Sequence, residues 1–245
     1  MNRCFAATLV LGLATAVAST AAARSAGTLV LAARFQIKEF AAICPAGTPS
    51  TTECFAFETT ARVPGLGTVT ERYMAFDDQS DPSCRHTSWS PAVLTVAGKG
   101  EIDATLAAAT ACDGQGQFIG AGRFTITGGS GVYAGAAGSG TENASGLISD
   151  AWTGTLTVAG LEFDTVAPAM VGARRRTIGV PAGVKRARVR FALTAEDAVD
   201  GPVPVVCMPR SGALFKLGRT IVSCTATDTS ANTATASFAV VVKRR

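Results

Sequence analysis

Between Thr28 and Phe163 the chain alternates apolar and polar residues almost without pause. The runs are TLVLAARFQIKEF (28–40), TECFAFETTARV (52–63), GTVTERYMAF (67–76), AVLTVAG (92–98), GEIDATLAAA (100–109), GQFIGAGRFTIT (116–127) and TGTLTVAGLEF (153–163). A period of two places successive side chains on opposite faces of an extended strand, whereas a helix needs apolar residues three and four apart. Gly, Pro, Asp and Ser break the runs, as turns require. Counting the run that follows the glycines at 128–131, about eight strands precede residue 164, which suits a small barrel or sandwich. The expected fold is all-β: an N-terminal antiparallel β-barrel followed by a second β-rich unit.

The glycine-rich stretch ITGGSGVYAGAAGSGT (126–141) raises a nucleotide question. Gly129, Gly131 and Ala134 fit a permissive dinucleotide fingerprint, with Asp150 about twenty residues on. That fingerprint needs a helix at its last glycines. Gly135, Gly138 and Gly140 would each cost such a helix about 1 kcal/mol relative to alanine. A phosphate-loop lysine is missing too, because no lysine lies between Lys99 and Lys185. A strand–turn–strand reading fits better. Gly128–Gly131 can take the positive φ of a tight turn. A second strand then follows, with Val132, Ala134, Ala136, Gly138 and Gly140 on one face, tapering as the interior of a small barrel does. RFTITGGSGVYAGAAGSGT resembles the same element of the exported barrel domains akin to the allene oxide cyclase and dirigent group. The resemblance implies a barrel with an apolar interior. Plant members of that group isomerise ligands or guide phenol coupling, so an interior that binds or isomerises a small apolar ligand is the alternative function. No catalytic residue is carried over.

Other chemistry finds no frame. The one histidine, His86, sits in Cys84-Arg85-His86, too sparse for a zinc site. Neither Gly129-Ser130-Gly131 nor Gly138-Ser139-Gly140 has the strand-to-helix setting of a nucleophile elbow. Asp77, Asp78 and Asp81 share a turn-rich loop that reads as solvated. No catalytic set, cofactor site or metal site is expected, and the chain reads as non-enzymatic.

The first residues, MNRCFAATLVLGLATAVASTAAARSAG, combine a basic start, an apolar run from Cys4 to Ala18 and small residues after it. This is the build of a secretory signal, expected over residues 1–23, with the mature protein starting near Arg24. The run is short for a membrane span, and no later one is long enough. A secreted, periplasmic or cell-surface location follows, and with it an oxidising compartment for the six remaining cysteines. Of the three pairings open to the first four, Cys44–Cys54 with Cys84–Cys112 is preferred.

At Asp164-Thr165-Val166-Ala167-Pro168 the charge balance inverts. Residues 24–164 hold 8 Lys and Arg against 14 Asp and Glu, whereas residues 165–245 hold 13 against 4. A swing of this size predicts two domains, 24–164 and 165–245. The second contains Asp197, Asp200-Gly201, Val206-Cys207, Ser211-Gly212, Phe215, Gly218, Cys224-Thr225-Ala226-Thr227-Asp228, Asn232 and Phe238-Ala239-Val240. This pattern resembles the hyalin repeat (HYR) domain over roughly residues 165–243. Lys216, and Ala231 where the family usually has glycine, depart from it. The resemblance implies an immunoglobulin-like β-sandwich and a role in adhesion or extracellular assembly. Cys207 and Cys224 lie on separate strand-like runs, and a bond between them would stabilise by about 3 kcal/mol. Asp197, Asp200 and Asp228 read as turn caps in preference to calcium ligands. Arg174, Arg175 and Arg176, then Arg186, Arg188 and Arg190 on one strand face, form a candidate surface for an anionic cell-surface polymer or an extracellular protein. Aromatic side chains are missing around them, which argues against specific nucleic-acid reading.

Overall fold

The computed structural model describes residues 24–36, 39–78, 80, 86–112, 118–145 and 149–245. The expected signal over 1–23, and the Cys84–Cys112 pair through Cys84 and the Cys112 side chain, lie outside what is described. Within the described residues the regular structure is β-strand, apart from one 3-10 turn at Gly131–Tyr133.

Among the described residues, ten strands precede residue 165: β1 (Arg24–Gln36), β2 (Glu39–Ala41), β3 (Thr52–Val63), β4 (Gly67–Asp78), β5 (His86–Trp89), β6 (Ala92–Val96), β7 (Gly100–Cys112), β8 (Phe118–Gly129), β9 (Ala137–Ser145) and β10 (Ser149–Asp164). They form one antiparallel sheet in the order β1-β10-β9-β8-β7-β6-β4-β3-β2, with β5 alongside β4. The two strands beyond the expected eight are short: β2, which begins within the run read as one strand over 28–40, and β5, too brief for alternation to register. The sheet curls until β1 returns to β3, where the Thr59 hydroxyl donates to the Gln36 carbonyl. No backbone ladder seals that seam among the described residues.

Alternation sends one face of each strand inward. Leu29, Leu31 and Phe35 of β1, Val63 of β3, Val69 of β4, Leu94 of β6, Phe124 of β8 and Trp152 and Leu156 of β10 are all buried. Each fully buried large side chain contributes about 1.5–3 kcal/mol of hydrophobic stabilisation. Phe124 stacks on Trp152 with ring centroids 4.6 Å apart.

The glycine stretch is architecture, with one departure from expectation. The second strand starts at Ala137, not Val132. The 3-10 turn instead tucks Tyr133 inward at 2% exposure and leaves Val132 outside at 47%. A large ring plugs the interior better than a valine, so packing overrides the strand phase. Further on the expected face holds. A Cβ at Gly140 would lie 2.2 Å from the Thr153 carbonyl oxygen and 2.6 Å from the Phe124 ring, and one at Gly154 would lie 2.8 Å from that ring. The two glycines let Phe124 lie flat on the backbones of β9 and β10.

Beyond residue 164 come β11 (Ala169–Val171), β12 (Arg176–Val180), β13 (Arg186–Arg188), β14 (Thr194–Asp197), β15 (Gly201–Val203), β16 (Val205–Met208), β17 (Leu214–Lys216), β18 (Gly218–Thr227) and β19 (Thr233–Arg244). One sheet runs β12-β19-β18-β16, with β12 parallel to β19. It is accompanied by β11-β14-β15 and by the pair β13-β17. Between them lies a separate apolar cluster of Val180, Val189, Phe215, Val222, Cys224, Phe238, Val240 and Val242. This is a β-sandwich.

The two parts meet tightly. The turn between β3 and β4 reaches the turn between β18 and β19, where the Gly65 amide donates to the Ser230 carbonyl at 2.8 Å. The Asn232 side-chain amide donates to the Asp164 carbonyl at 3.0 Å.

Candidate functional site

The motif residues of the C-terminal sandwich each have a structural task. Cys207 and Cys224 face one another in register on β16 and β18 and form a disulfide. Asp197 accepts the amides of Val199 and Asp200 at 2.8 and 3.0 Å, capping its own turn. Asp200 accepts the Thr229 amide at 2.7 Å. Asp228 accepts the Asn232 amide at 2.8 Å and its side-chain amide at 2.9 Å. The Ser211 hydroxyl donates to the Phe191 carbonyl at 2.6 Å and accepts the Phe191 amide at 2.9 Å. Phe215, Phe238 and Val240 fill the core.

Residues 163–242 match the family model of the HYR domain. No curated protein and no solved structure matches the chain. The HYR match covers the C-terminal third of the sequence. It supports an extracellular, adhesion-type module there, in keeping with the disulfides. No helix among the described residues is long and apolar enough to cross a membrane.

The arginines singled out from the sequence are all exposed on the HYR module. Arg186 and Arg188 point outward from β13, and Arg190 follows two residues on. Arg186 pairs in register with Lys216, another cation. Arg176 opens β12, and Gly172 approaches the Ala192 carbonyl so closely that a Cβ there would stand 2.8 Å from it. The sequence also places Lys185 and Lys243-Arg244-Arg245 in this basic set. Leu217 donates its amide to the Lys185 carbonyl, and Arg245 donates its own to Val180. These contacts gather Lys185, Lys243, Arg244 and Arg245 at the end of the sandwich away from the other sheet. None of the module's Lys or Arg side chains forms an ion pair.

Its carboxylates collect at the opposite end. Asp197, Asp200 and Asp228 join Asp164, and the four offer oxygens within 4.8 Å of one another. Oxygen-rich clusters of this kind are where a divalent cation could be held. Each of these carboxylates also accepts a turn hydrogen bond, as the turn-cap reading expects. Burial pushes Asp228 above the usual carboxylate range, against the lowering effect of its Asn232 bonds.

In the N-terminal part, Cys44–Cys54 forms as expected and ties the start of β3 to the segment before it. The site that sequence reasoning missed lies inside the curled sheet. Glu71 of β4, Glu142 of β9 and Asp150 of β10 all point inward, with exposures of 0%, 5% and 0%. The Trp152 indole N–H donates to Asp150 Oδ2 at 2.8 Å. Both oxygens of Glu71, Glu142 Oε2 and Asp150 Oδ1 are buried without a hydrogen-bond partner. The Glu142 and Asp150 carboxyls abut, and a hydrogen bond between two such acceptors requires a proton on one of them. Burial, reinforced by Asp150, pushes Glu142 up to about 8. Burial also raises Asp150, and it raises Glu71 well above the usual range, with Asp150 and Glu142 adding to the effect. The Tyr73 hydroxyl is raised by burial and then by these carboxyls.

A signal for this cluster was in the sequence. Val69, Glu71, Tyr73 and Ala75 share the phase of GTVTERYMAF that carries its apolar residues, and Asp150, Trp152, Gly154 and Leu156 share another. A carboxylate in the apolar phase of a strand marks a buried acid.

Proposed function

We propose that the chain is an exported, two-domain binding protein, dividing at residues 164/165, whose HYR module engages an anionic cell-surface polymer. The observation that carries this reading is the segregation of charge on the module. Its cations are exposed and form no ion pair, Arg188 donating only to the Gly212 carbonyl, while Asp197, Asp200 and Asp228 turn toward the other sheet. A surface whose cations have no carboxylate partner keeps its field available to an outside polyanion. The match to an adhesion-type module supports the same reading.

The alternative, an interior that isomerises a small apolar ligand, fits less well. The interior side chains with under 2% exposure include Trp152, Tyr133, Phe35, Phe124, Leu66 and Ile102, which fill the space such a ligand would need.

The test is retention of the mature protein on a sulfated or phosphorylated polysaccharide resin under a salt gradient. The wild type should be held at about 0.15 M salt, where charges within roughly 8 Å still interact, and released as salt rises. The triple variant Arg186→Glu, Arg188→Glu, Arg190→Glu should flow through. Retention of that variant equal to wild type would overturn the reading.

A further inference from the structure

Arg186 of β13 stands directly opposite Lys216 of β17. Like charges placed so across two strands destabilise the pair. Among the described residues no carboxylate forms an ion pair with either cation. An anion seated between the two relieves their repulsion.

From Arg186 a row of cations runs along the chain. Beyond β13 the cross-strand bonding continues: the Val189 amide donates to the Ala213 carbonyl at 3.2 Å, and the Gly212 amide to the Val189 carbonyl at 2.8 Å. The Ser211 hydroxyl then bonds both the amide and the carbonyl of Phe191. Ala187 and Phe191 are half-buried and Val189 is buried, whereas Arg186, Arg188 and Arg190 are exposed. Three arginines therefore leave one face at every second residue, about 7 Å apart along the backbone. The middle one is held in place, because Arg188 Nη1 donates to the Gly212 carbonyl at 2.8 Å. That bond uses one N–H of the five and leaves the rest of the fork for a ligand.

We propose that this row binds a chain of phosphodiesters linked through a three-carbon polyol, laid along the strand with one phosphate to each of Arg186, Arg188 and Arg190. The proposal rests on the anionic-polymer reading above and names the chemistry of the polymer. Two residues of extended backbone are six covalent bonds, about 7 Å from Cα to Cα. From one phosphorus to the next through a 1,3-linked glycerol is also six bonds, so the extended polymer repeats at the pitch of the row. A 1,5-linked five-carbon polyol needs eight and falls out of step. A phosphodiester presents two free oxygens, which a guanidinium fork meets with two parallel bonds. Nucleic acid shares the six-bond repeat, but its bases find no stacking platform here. The aromatic residues of the module are Phe191, Phe215 and Phe238, and all three pack into its core cluster.

The experiment is titration calorimetry of the mature full chain against oligomers of equal phosphate count: 1,3-linked glycerol phosphate, 1,5-linked ribitol phosphate and oligodeoxythymidylate. Dextran sulfate is the control polyanion. The glycerol oligomer should bind about tenfold more tightly than the ribitol oligomer. Arg188→Gln should abolish that preference and reduce the slope of log Kd on log salt by about 1. Arg219→Gln, at an exposed position of β18 outside the row, should keep the preference. Equal affinity for the two polyol phosphates would overturn the proposal, and so would tighter binding of the deoxythymidylate. Binding of dextran sulfate alone would overturn it while leaving the anionic-polymer reading intact. Binding of none of the four would sink both. The comparison of the two polyol phosphates on the wild type decides without any variant.

Discussion

Ala231 sits in the left-handed region at φ 65° and is buried at the junction turn. A Cβ in that conformation costs roughly 1–2 kcal/mol, which explains why a glycine is usual here in the HYR pattern. Glycine returns part of the gain through its greater freedom when unfolded. Ala231→Gly should still raise stability by about 0.5 kcal/mol, read as a higher urea midpoint with unchanged slope. The interior acids set a second expectation. Glu142 moves from an ordinary value near 4.5 to about 8, and Glu71 and Asp150 move the same way. Between those values the folded protein holds protons that the unfolded chain has released. Stability is therefore fullest in acid, below the unfolded values, and is lost as pH rises toward 8 and beyond, by up to about 1.4 kcal/mol per pH unit for each group. Urea midpoints at pH 5, 7 and 9 should fall in that order, and Glu142→Gln should flatten the trend.

At the scale of the element, β9 and β10 show how a run of small residues specifies packing. Gly140 and Gly154 hold no side chain where the Phe124 ring lies. Gly140→Ala would press a methyl into the Thr153 carbonyl and that ring. Overpacking costs about 1–3 kcal/mol, and a contact with backbone places this variant at the upper end, measurable as a drop in denaturation midpoint. Strand identity here was legible from alternation alone, because burying one face demands period two. The start of β9 was not. A strand from Val132 satisfies the period, yet the turn that buries Tyr133 satisfies the interior better, and that choice depends on a cavity formed by other strands. β5 escaped notice because four residues carry too little pattern, and β2 was read as the end of the run over 28–40.

Across the whole molecule, the junction couples the curled sheet to the sandwich. Gly67, at φ 101°, lies so close to the Thr229 carbonyl that a Cβ would stand 2.6 Å from it. Gly67→Ala should therefore loosen the junction. Calorimetry should resolve two unfolding transitions in the variant where the wild type shows one, and a single unshifted transition would refute the coupling. What the sequence determined by itself was local and periodic: extended strands, the HYR pattern, cysteines on facing strands, and a change of charge near residue 164. Short-range sterics and solvation act on neighbouring residues, so they leave their mark in order and spacing. Tertiary structure decided what depends on distant strands meeting. Glu71, Glu142 and Asp150 are separated by up to 79 residues, and only the curl of one sheet brings them into a shared, water-poor interior. The same holds for the four carboxylates at the junction and for the basic end of the sandwich, where Lys185 meets Leu217 and Arg245 meets Val180 through backbone pairing rather than sequence.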